Sequence, residues 1–584
     1  MFKLCFTKLR NQAKKSKLLT KVYRRYFMTL PIDADYTEIT QVQSKLLSKL
    51  KVRSNIITFS ILVPIYKPDL ALFKEMVSSV LAQHYSHWQL ILVDDASEDD
   101  QLTDYLLTLE NAYQQIKVVK CTENTHISSA SNHGLAIADG EYLVLLDHDD
   151  LLHKEALKTV AYYIDKNPNA RILYSDEDKL TSKGERASPH FKPQWNRDLL
   201  YSMNYISHLG VYKKSLVDAI GGFKVGVEGS QDYDLLLRCI EHCDDSQIIH
   251  IPYVLYHWRA IRGSTALAES EKEYSSVAGL DALKAHVGFD SVEMGKLANT
   301  YKVNWPLPEP APFVSIIIPT KNAKALVNQC IDSIYKNVLY PSFEVLLVDN
   351  QSDEVESINY FKALEMEGKI RLLHYNKPFN YSAINNYGVS QAKGSLIVLM
   401  NNDIEILSDG WLVEMVSNIS RTDIGCVGAK LYYPDGKLQH AGVITGLGGV
   451  AGHSHKYFPK NHLGYFKRLQ VVQNLSAVTA ACLAVRKSVF EEVGGLNEQN
   501  LSIAFNDVDF CLKVQAAGYR NLWSPYIEMI HHESISRGAE DTPEKQARFA
   551  SEVNYMKKTW GEQLLNDPCY SQWLTLDRED FSLR

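Results

Sequence analysis

Hydrophobic residues follow two alternating patterns along this chain, and the whole alternation occurs twice. In the first half, short apolar runs fall at Ile61 to Val63, Leu90 to Val93, Ile116 to Val119 and Tyr142 to Leu146. Between them, Phe73 to Ala82 and Ser131 to Ala138 place apolar residues at helical spacing. Runs without polar alternation predict strands buried on both faces. Strands alternating with helices predict an α/β fold with a mostly parallel, Rossmann-like sheet. The run from Ile56 to Ile65 is strand-sized, and no apolar run approaches the ~20 residues of a membrane span.

The second half repeats the first. Ser60-Ile-Leu-Val-Pro-Ile-Tyr66 is echoed 255 positions later by Ser315-Ile-Ile-Ile-Pro-Thr-Lys321. Leu90-Ile-Leu-Val-Asp-Asp-Ala-Ser97 is echoed at the same offset by Val345-Leu-Leu-Val-Asp-Asn-Gln-Ser352. Asn132-His-Gly134 matches Asn386-Tyr-Gly388, and Gly140 to Asp147 matches Gly394 to Asn401, now at an offset of 254. Gln231-Asp-Tyr-Asp234 matches Asn506-Asp-Val-Asp509 at 275, and His257 matches His532 at that offset. Ordered matches of this kind mark a duplication. Between the copies, Asn304-Trp-Pro-Leu-Pro-Glu-Pro-Ala-Pro312 carries prolines at alternate positions, which predicts an extended spacer. The expected organisation is a basic segment over 1–54, a first module over 55–303, a linker over 304–312, a second module over 313–565 and a tail over 566–584.

Composition changes this picture little. The 584 residues exceed one hydrophobic core, and a net charge of -7 gives no footprint for nucleic acid. Nine cysteines with no CxxC pair predict buried free thiols and a reducing, cytoplasmic setting. The N-terminus lacks the apolar core of a signal peptide. Its nine lysines and arginines from Lys3 to Arg25 precede the first acid, Asp33, and interleave with Leu4, Phe6, Leu9 and other apolar residues. That pattern suits a helix lying on an anionic membrane surface, or equally a basic arm packed on its own protein.

The candidate chemistry sits where acids end strands, the ligand-binding edge of such sheets. Asp147-His-Asp149-Asp150 concentrates carboxylates that repel one another unless a hard cation, Mg2+ or Mn2+, neutralises them. Asp150 alone also suits a helix N-cap. Asp94 and Asp95, and Asp349 in the second copy, end strands where an acid can meet a nucleobase or ribose; turn formation is the plainer alternative. Asp232 and Asp507 each open an Asp-x-Asp ahead of an apolar helix, as general bases or as N-caps. His257 and His532 recur about 25 residues later. No glycine-rich phosphate loop follows the first strand of either copy, which counts against dinucleotide and pyrophosphorylase readings.

Pro64, Asp94-Asp-Ala-Ser97, Asn132, Asp147-His-Asp149, Gln231-Asp-Tyr-Asp234 and His257 together resemble the family 2 glycosyltransferases of GT-A fold. Tyr174-Ser-Asp-Glu-Asp178 and Leu255-Tyr-His-Trp-Arg259 are similar to the branch that builds bacterial O-antigen and rhamnan. The second copy resembles the same family through Val348-Asp349, Asn401-Asn-Asp403, Gly494-Gly495, Asn506-Asp507 and His531-His-Glu-Ser534. The resemblance implies two tandem GT-A modules and an inverting transfer from a nucleoside-diphosphate sugar to a lipid-linked oligosaccharide or polysaccharide. It assigns metal binding to Asp147, Asp149 and His257 in the first module, and to Asp403 and His532 in the second. It makes Asp232 and Asp507 the bases. It assigns Pro64, Asp94, Asp95, Asn132, Asp147 and Gly222 to substrate, with Pro319, Asp349, Asn386, Asn401 and Gly495 in the second copy. Rhamnose is the sugar expected from the branch, with uridine and guanosine diphosphate sugars as alternatives. The second copy keeps one carboxylate, Asp403, where the first has Asp147 and Asp149. One catalytic module beside a glycan-binding or scaffold module is therefore the competing expectation.

Overall fold

The computed structural model describes residues 36–52, 56–259, 269–289, 291–532 and 542–584. The basic stretch from Lys3 to Arg25, and Glu533 and Ser534, lie outside the described residues.

The first sheet is formed by β1 (Phe59–Ile65), β2 (Trp88–Asp94), β3 (Ile116–Lys120), β4 (Tyr142–Leu145), β5 (Leu151–Leu152), β6 (Ile172–Leu180), β7 (Arg186–His190), β8 (Gly210–Lys213) and β9 (Ile248–Arg259). A small antiparallel pair follows, β10 (Val292–Met294) with β11 (Tyr301–Val303). The second module contains β12 (Val314–Thr320), β13 (Phe343–Asp349), β14 (Arg371–His374), β15 (Leu396–Met400), β16 (Ile404–Ile406) and β17 (Ile424–Tyr432). It continues with β18 (Leu438–His440), β19 (Val443–Thr445), β20 (Ala451–His453), β21 (Gln473–Asn474), β22 (Cys482–Arg486) and β23 (Arg520–His531).

The two sheets have one topology. The first runs β3-β2-β1-β4-β8-β6-β9-β5 and the second β14-β13-β12-β15-β22-β17-β23-β16, so each strand has its counterpart in the same place. The first four strands of each order are parallel, as the unbroken apolar runs require. Beyond them β8 and β22 enter antiparallel, which makes each sheet mixed rather than parallel throughout. Two GT-A-like α/β modules result. The chain winds outward through β2 and β3 and then returns to β4 on the far side of β1. Sheets of this kind bind ligands outside the carboxyl ends of their strands at such a reversal, and Asp94 and the Asp147 turn lie on this edge.

Buried apolar side chains hold each sheet to its helices. Ile61, Val63, Leu90, Leu92 and Val144 lie in one core, and Leu62, Ile91, Val93 and Leu143 on the opposite face lie in another. Each such side chain contributes ~1.5–3 kcal/mol on burial. The repeated glycines have a packing reason. A Cβ on Gly134 would sit 2.2 Å from Leu62 Cδ1, and one on Gly388 would sit 2.5 Å from Ile317 Cγ2. In both modules a helix crosses the first strand too closely for a side chain.

The modules pack directly on one another; the proline-rich stretch does not hold them apart. Asp198 of the first module is buried between Arg421 and Arg520 of the second, and Asn474 Nδ2 donates to it at 2.8 Å. Asn196 Nδ2 donates to the Asn474 carbonyl at 2.8 Å, and His190 stacks on Phe466. The C-terminal residues belong to the same junction, since Trp573 Nε1 donates to the Pro252 carbonyl at 2.6 Å. Among the described residues, no helix is long and apolar enough to cross a membrane. All eight described cysteines are free thiols.

Candidate functional site

In the first module the acidic turn follows β4. Ligand atoms of Asp147, Asp150 and His208 lie within 4.8 Å of one another. His208 Nε2 is 3.6 Å from Asp147 Oδ2, and its ring stacks on Tyr256 at 4.4 Å. Tyr256 holds the turn from beneath: its hydroxyl donates to Asp150 Oδ2 at 2.6 Å and accepts the Asp147 amide at 3.3 Å. The Arg259 amide donates to Asp150 Oδ1 at 2.7 Å. Asp150 does not cap a helix, because Leu151 and Leu152 continue as strand β5 against β9. Burial, followed by repulsion from Asp147 and Asp149, pushes the Asp150 carboxyl well above its usual range. Burial likewise raises Asp149. Two carboxylates and an imidazole brought this close suit a hard divalent cation.

Asp232 stands beside this cluster. It opens the helix Gln231–Ile240, and its Oδ2 accepts from Asn204 Nδ2 at 2.9 Å. Burial raises its carboxyl, His208 opposes that shift, and Asp147 adds to it. Asp232 therefore lies within electrostatic reach of both residues. No side-chain cap from Ser230 precedes it.

The histidines differ from expectation. His257 Nδ1 binds Asp178 Oδ1 at 2.6 Å, on the face of β9 opposite Tyr256. His532 Nε2 binds Glu405 Oε2 at 2.9 Å and Gln329 at 3.0 Å. Successive side chains of a strand point to opposite faces. The position one residue earlier therefore faces the acidic turn: Tyr256 in the first module, His531 in the second. His531 Nε2 lies 3.1 Å from Asp403 Oδ1 and 3.2 Å from Asn401 Nδ2, while its Nδ1 is 2.8 Å from Gln439 Oε1. The structure thus turns His257 and His532 away from the acidic turns and brings His208 and His531 to them.

The second site is a pocket of about 400 Å³. Asn401, His453, Lys456, Thr479, Asp507 and His531 are among its lining residues. Asp507 opens the helix Asn506–Ala516, and its Oδ2 accepts the Ala480 amide at 3.1 Å. Burial raises its carboxyl. Strand pairing sets Ala481 where His208 stands, because Lys213 faces Tyr142 as Arg486 faces Leu396. Asn401 stands for Asp147. Repetition pointed away from His208, since the second copy has no histidine there.

The other expected substrate residues divide. Asn132 is fully engaged with backbone: its Nδ2 donates to the Phe223 carbonyl and its Oδ1 accepts the Phe223 amide, both at 2.8 Å. Asn386 grips Leu496 in the same way at 2.9 Å. Gly222 and Gly495 have φ of 75° and 65°, and a Cβ on either would press on that asparagine. In this structure these four residues form a turn clamp. Asp94 Oδ1 accepts the Ser97 amide, Asp95 Oδ1 accepts from Thr125, and Asp349 Oδ1 accepts from Ser352. They shape the turns at the carboxyl ends of the parallel strands. Pro64 and Pro319 are half-buried near the carboxyl ends of β1 and β12.

The family model "Glycosyl transferase family 2" matches residues 60–221 and 315–494. An uncharacterised protein, y4gI, of Sinorhizobium fredii is 49% identical over 530 residues, 90% of this chain and 58% of that protein. The O-antigen biosynthesis protein RfbC of Myxococcus xanthus is 36% identical over 532 residues, 90% of this chain and 41% of that protein. The chain thus spans about half the length of these relatives. A mannosyltransferase of Pyrobaculum calidifontis, solved with GDP-Man and Mn2+, is 18% identical with a TM-score of 0.31, over 43% of this chain and 67% of that one.

Proposed function

The chain belongs to glycosyl transferase family 2, and on that premise we propose that it transfers sugars from nucleoside-diphosphate donors to a growing surface polysaccharide, with inversion. The observation that carries this reading is the convergence of Asp147, Asp150 and His208 within 4.8 Å, beside the half-buried Asp232. Asp147, Asp150 and His208 would hold Mg2+ or Mn2+, whose positive charge offsets that of the leaving diphosphate. Asp232 removes the proton from the acceptor hydroxyl as that oxygen attacks the anomeric carbon. The raised carboxyl of Asp232 makes it a stronger base than an exposed aspartate. Asn204 fixes its second oxygen, so the rotamer is set before substrate arrives. The Asp94 turn borders the cleft on the side suited to the nucleobase.

In the second module Asp507 is the corresponding base, held by the Ala480 amide. Its neighbours Asn401 and Ala481 bring no charge. This favours the second reading, in which one module catalyses and the other binds glycan. RfbC's name supports an O-antigen-like product. A lipid-linked acceptor at the cytoplasmic membrane face, contacted by the basic N-terminus, fits the same reading, as does a rhamnose donor.

The test incubates the full chain with a panel of nucleotide sugars and a lipid-linked acceptor, and analyses product linkages. Asp232→Asn and Asp507→Asn should each remove one linkage. Loss of all transfer on one change, with the other silent, selects the single-catalyst reading. The absence of any donor turnover by the wild type refutes both.

A further inference from the structure

The second module carries an insertion. Residues 433–481 separate β17 from β22, whereas residues 181–209 separate β6 from β8. The added length includes the hairpin of β19 and β20, with His453 opposite Val443. Ala451, Gly452 and His453 from this hairpin, and Lys456 from the turn after it, line the pocket that also contains Asp507.

Hydrogen-bond direction fixes the His453 ring. The Thr479 amide donates to His440 Nε2 at 3.3 Å, so that nitrogen is an acceptor. In a neutral ring the proton then sits on His440 Nδ1. His440 Nδ1 lies 2.7 Å from His453 Nδ1, and two nitrogens at this distance share one proton. His440 supplies it, so His453 Nδ1 accepts and His453 carries its own proton on Nε2. Burial keeps both rings neutral, holding His453 down at about 3 and His440 well below its usual range. No acceptor among the described residues takes the Nε2–H of His453. Lys456 lies over the rings of Tyr433 and Tyr457, with no carboxylate partner among the described residues.

We propose that His453 Nε2–H and the Lys456 ammonium form a binding site for an anionic oxygen of the substrate, a site the first module lacks. A neutral imidazole donor beside a cation suits phosphate or carboxylate oxygens, which accept strongly from both. The anion is either the donor's diphosphate or an acid group on the acceptor glycan. The site rests on the glycosyl-transfer reading for its role, but the arrangement of the rings does not.

The test uses the full chain labelled with 15N-histidine, free of divalent metal, with the His453 signals assigned by their loss in His453→Gln. Long-range proton–nitrogen spectra should show His453 bare at Nδ1 and protonated at Nε2. Inorganic pyrophosphate or glucuronate should shift the Nε2 signal; the first identifies the donor, the second the acceptor. Lys456→Gln should weaken that binding about tenfold, the loss of one charge-assisted hydrogen bond. A proton on Nδ1 of His453, or a signal unmoved by either probe, overturns the proposal. This readout needs no turnover, so it separates from the Asp507→Asn linkage test: either can fail alone.

Discussion

Asp198→Asn is expected to loosen the junction between the modules. Asp198 is 3% exposed. Arg421 Nη1 meets its Oδ1 at 2.5 Å, and Arg520 and Asn474 meet its Oδ2. The two guanidinium groups outweigh burial and hold the carboxyl at about 2, against the usual 3.8. That displacement corresponds to about 2 kcal/mol of preference for the folded junction. Asparagine keeps the shape but leaves two half-buried cations without their shared anion. Breaking a buried pair costs ~3–5 kcal/mol. Arg520 retains Asp423, so a loss of about 2–4 kcal/mol is expected. Urea unfolding followed by tryptophan fluorescence reads this directly, because the Arg421 guanidinium lies 4.3 Å from the Trp305 ring centroid. Two coupled modules need not unfold in one step, so the midpoint of the first transition is the quantity to compare. A carboxyl depressed on folding stabilises above its unfolded value and loses that contribution as pH falls through its folded one. The gap between wild type and variant should therefore be full at pH 5 and close from about pH 4 to pH 2. Equal midpoints at pH 7, or a gap indifferent to pH, would refute the reasoning.

Three further outcomes follow from the sites. Asn132→Ala and Asn386→Ala each strip a pair of backbone hydrogen bonds and should destabilise by about 2–4 kcal/mol, lowering the thermal midpoint. An unchanged midpoint with a raised KM would return these residues to substrate binding. His208→Ala should weaken Mn2+ binding by about tenfold or more, read by titration, whereas His257→Ala should leave it unchanged because that ring serves Asp178. Chelation should suppress the linkage lost in Asp232→Asn more than the one lost in Asp507→Asn; equal loss would contradict the unequal ligand sets.

The strands were legible because unbroken apolar runs such as Leu90 to Val93 suit a sheet buried on both faces, whereas their order in the sheet came from the structure. The helix starts that carry Asp232 and Asp507 were legible for a similar reason: an Asp-x-Asp ahead of an apolar run repeats in both copies. The histidines were not. In a strand, one residue decides the face, and the offset that aligned His257 with His532 aligned two residues that both point away. His531 was adjacent in sequence and opposite in direction. His208 was hidden for another reason. A search by repetition finds what both copies keep, and Ala481 stands in its place. The asparagines Asn132 and Asn386 recur because a Gly-Gly turn must be held, and sequence alone does not separate holding a turn from holding a ligand. The antiparallel entry of β8 and β22 left no mark in the apolar pattern, since a strand buried on both faces reads alike in either direction.

The duplication explains the scaffold and not the chemistry. Both modules keep the turn clamp and an aspartate at the same helix start, Asp232 and Asp507, which are the parts set by packing and helix starts. They differ in charge. The first module gathers Asp147 and Asp150 around His208, an arrangement that repulsion opposes until a cation enters. The second replaces Asp147 with Asn401 and sets Asp403 against His531, so less negative charge needs offsetting. Its insertion then adds Lys456 and the His440–His453 pair to the wall of the same pocket. Fewer acids and one added cation shift the electrostatic balance in a single direction, towards a site that carries more positive charge of its own. Two copies of one fold thus present different charge at equivalent positions, and Asp198 ties the two together.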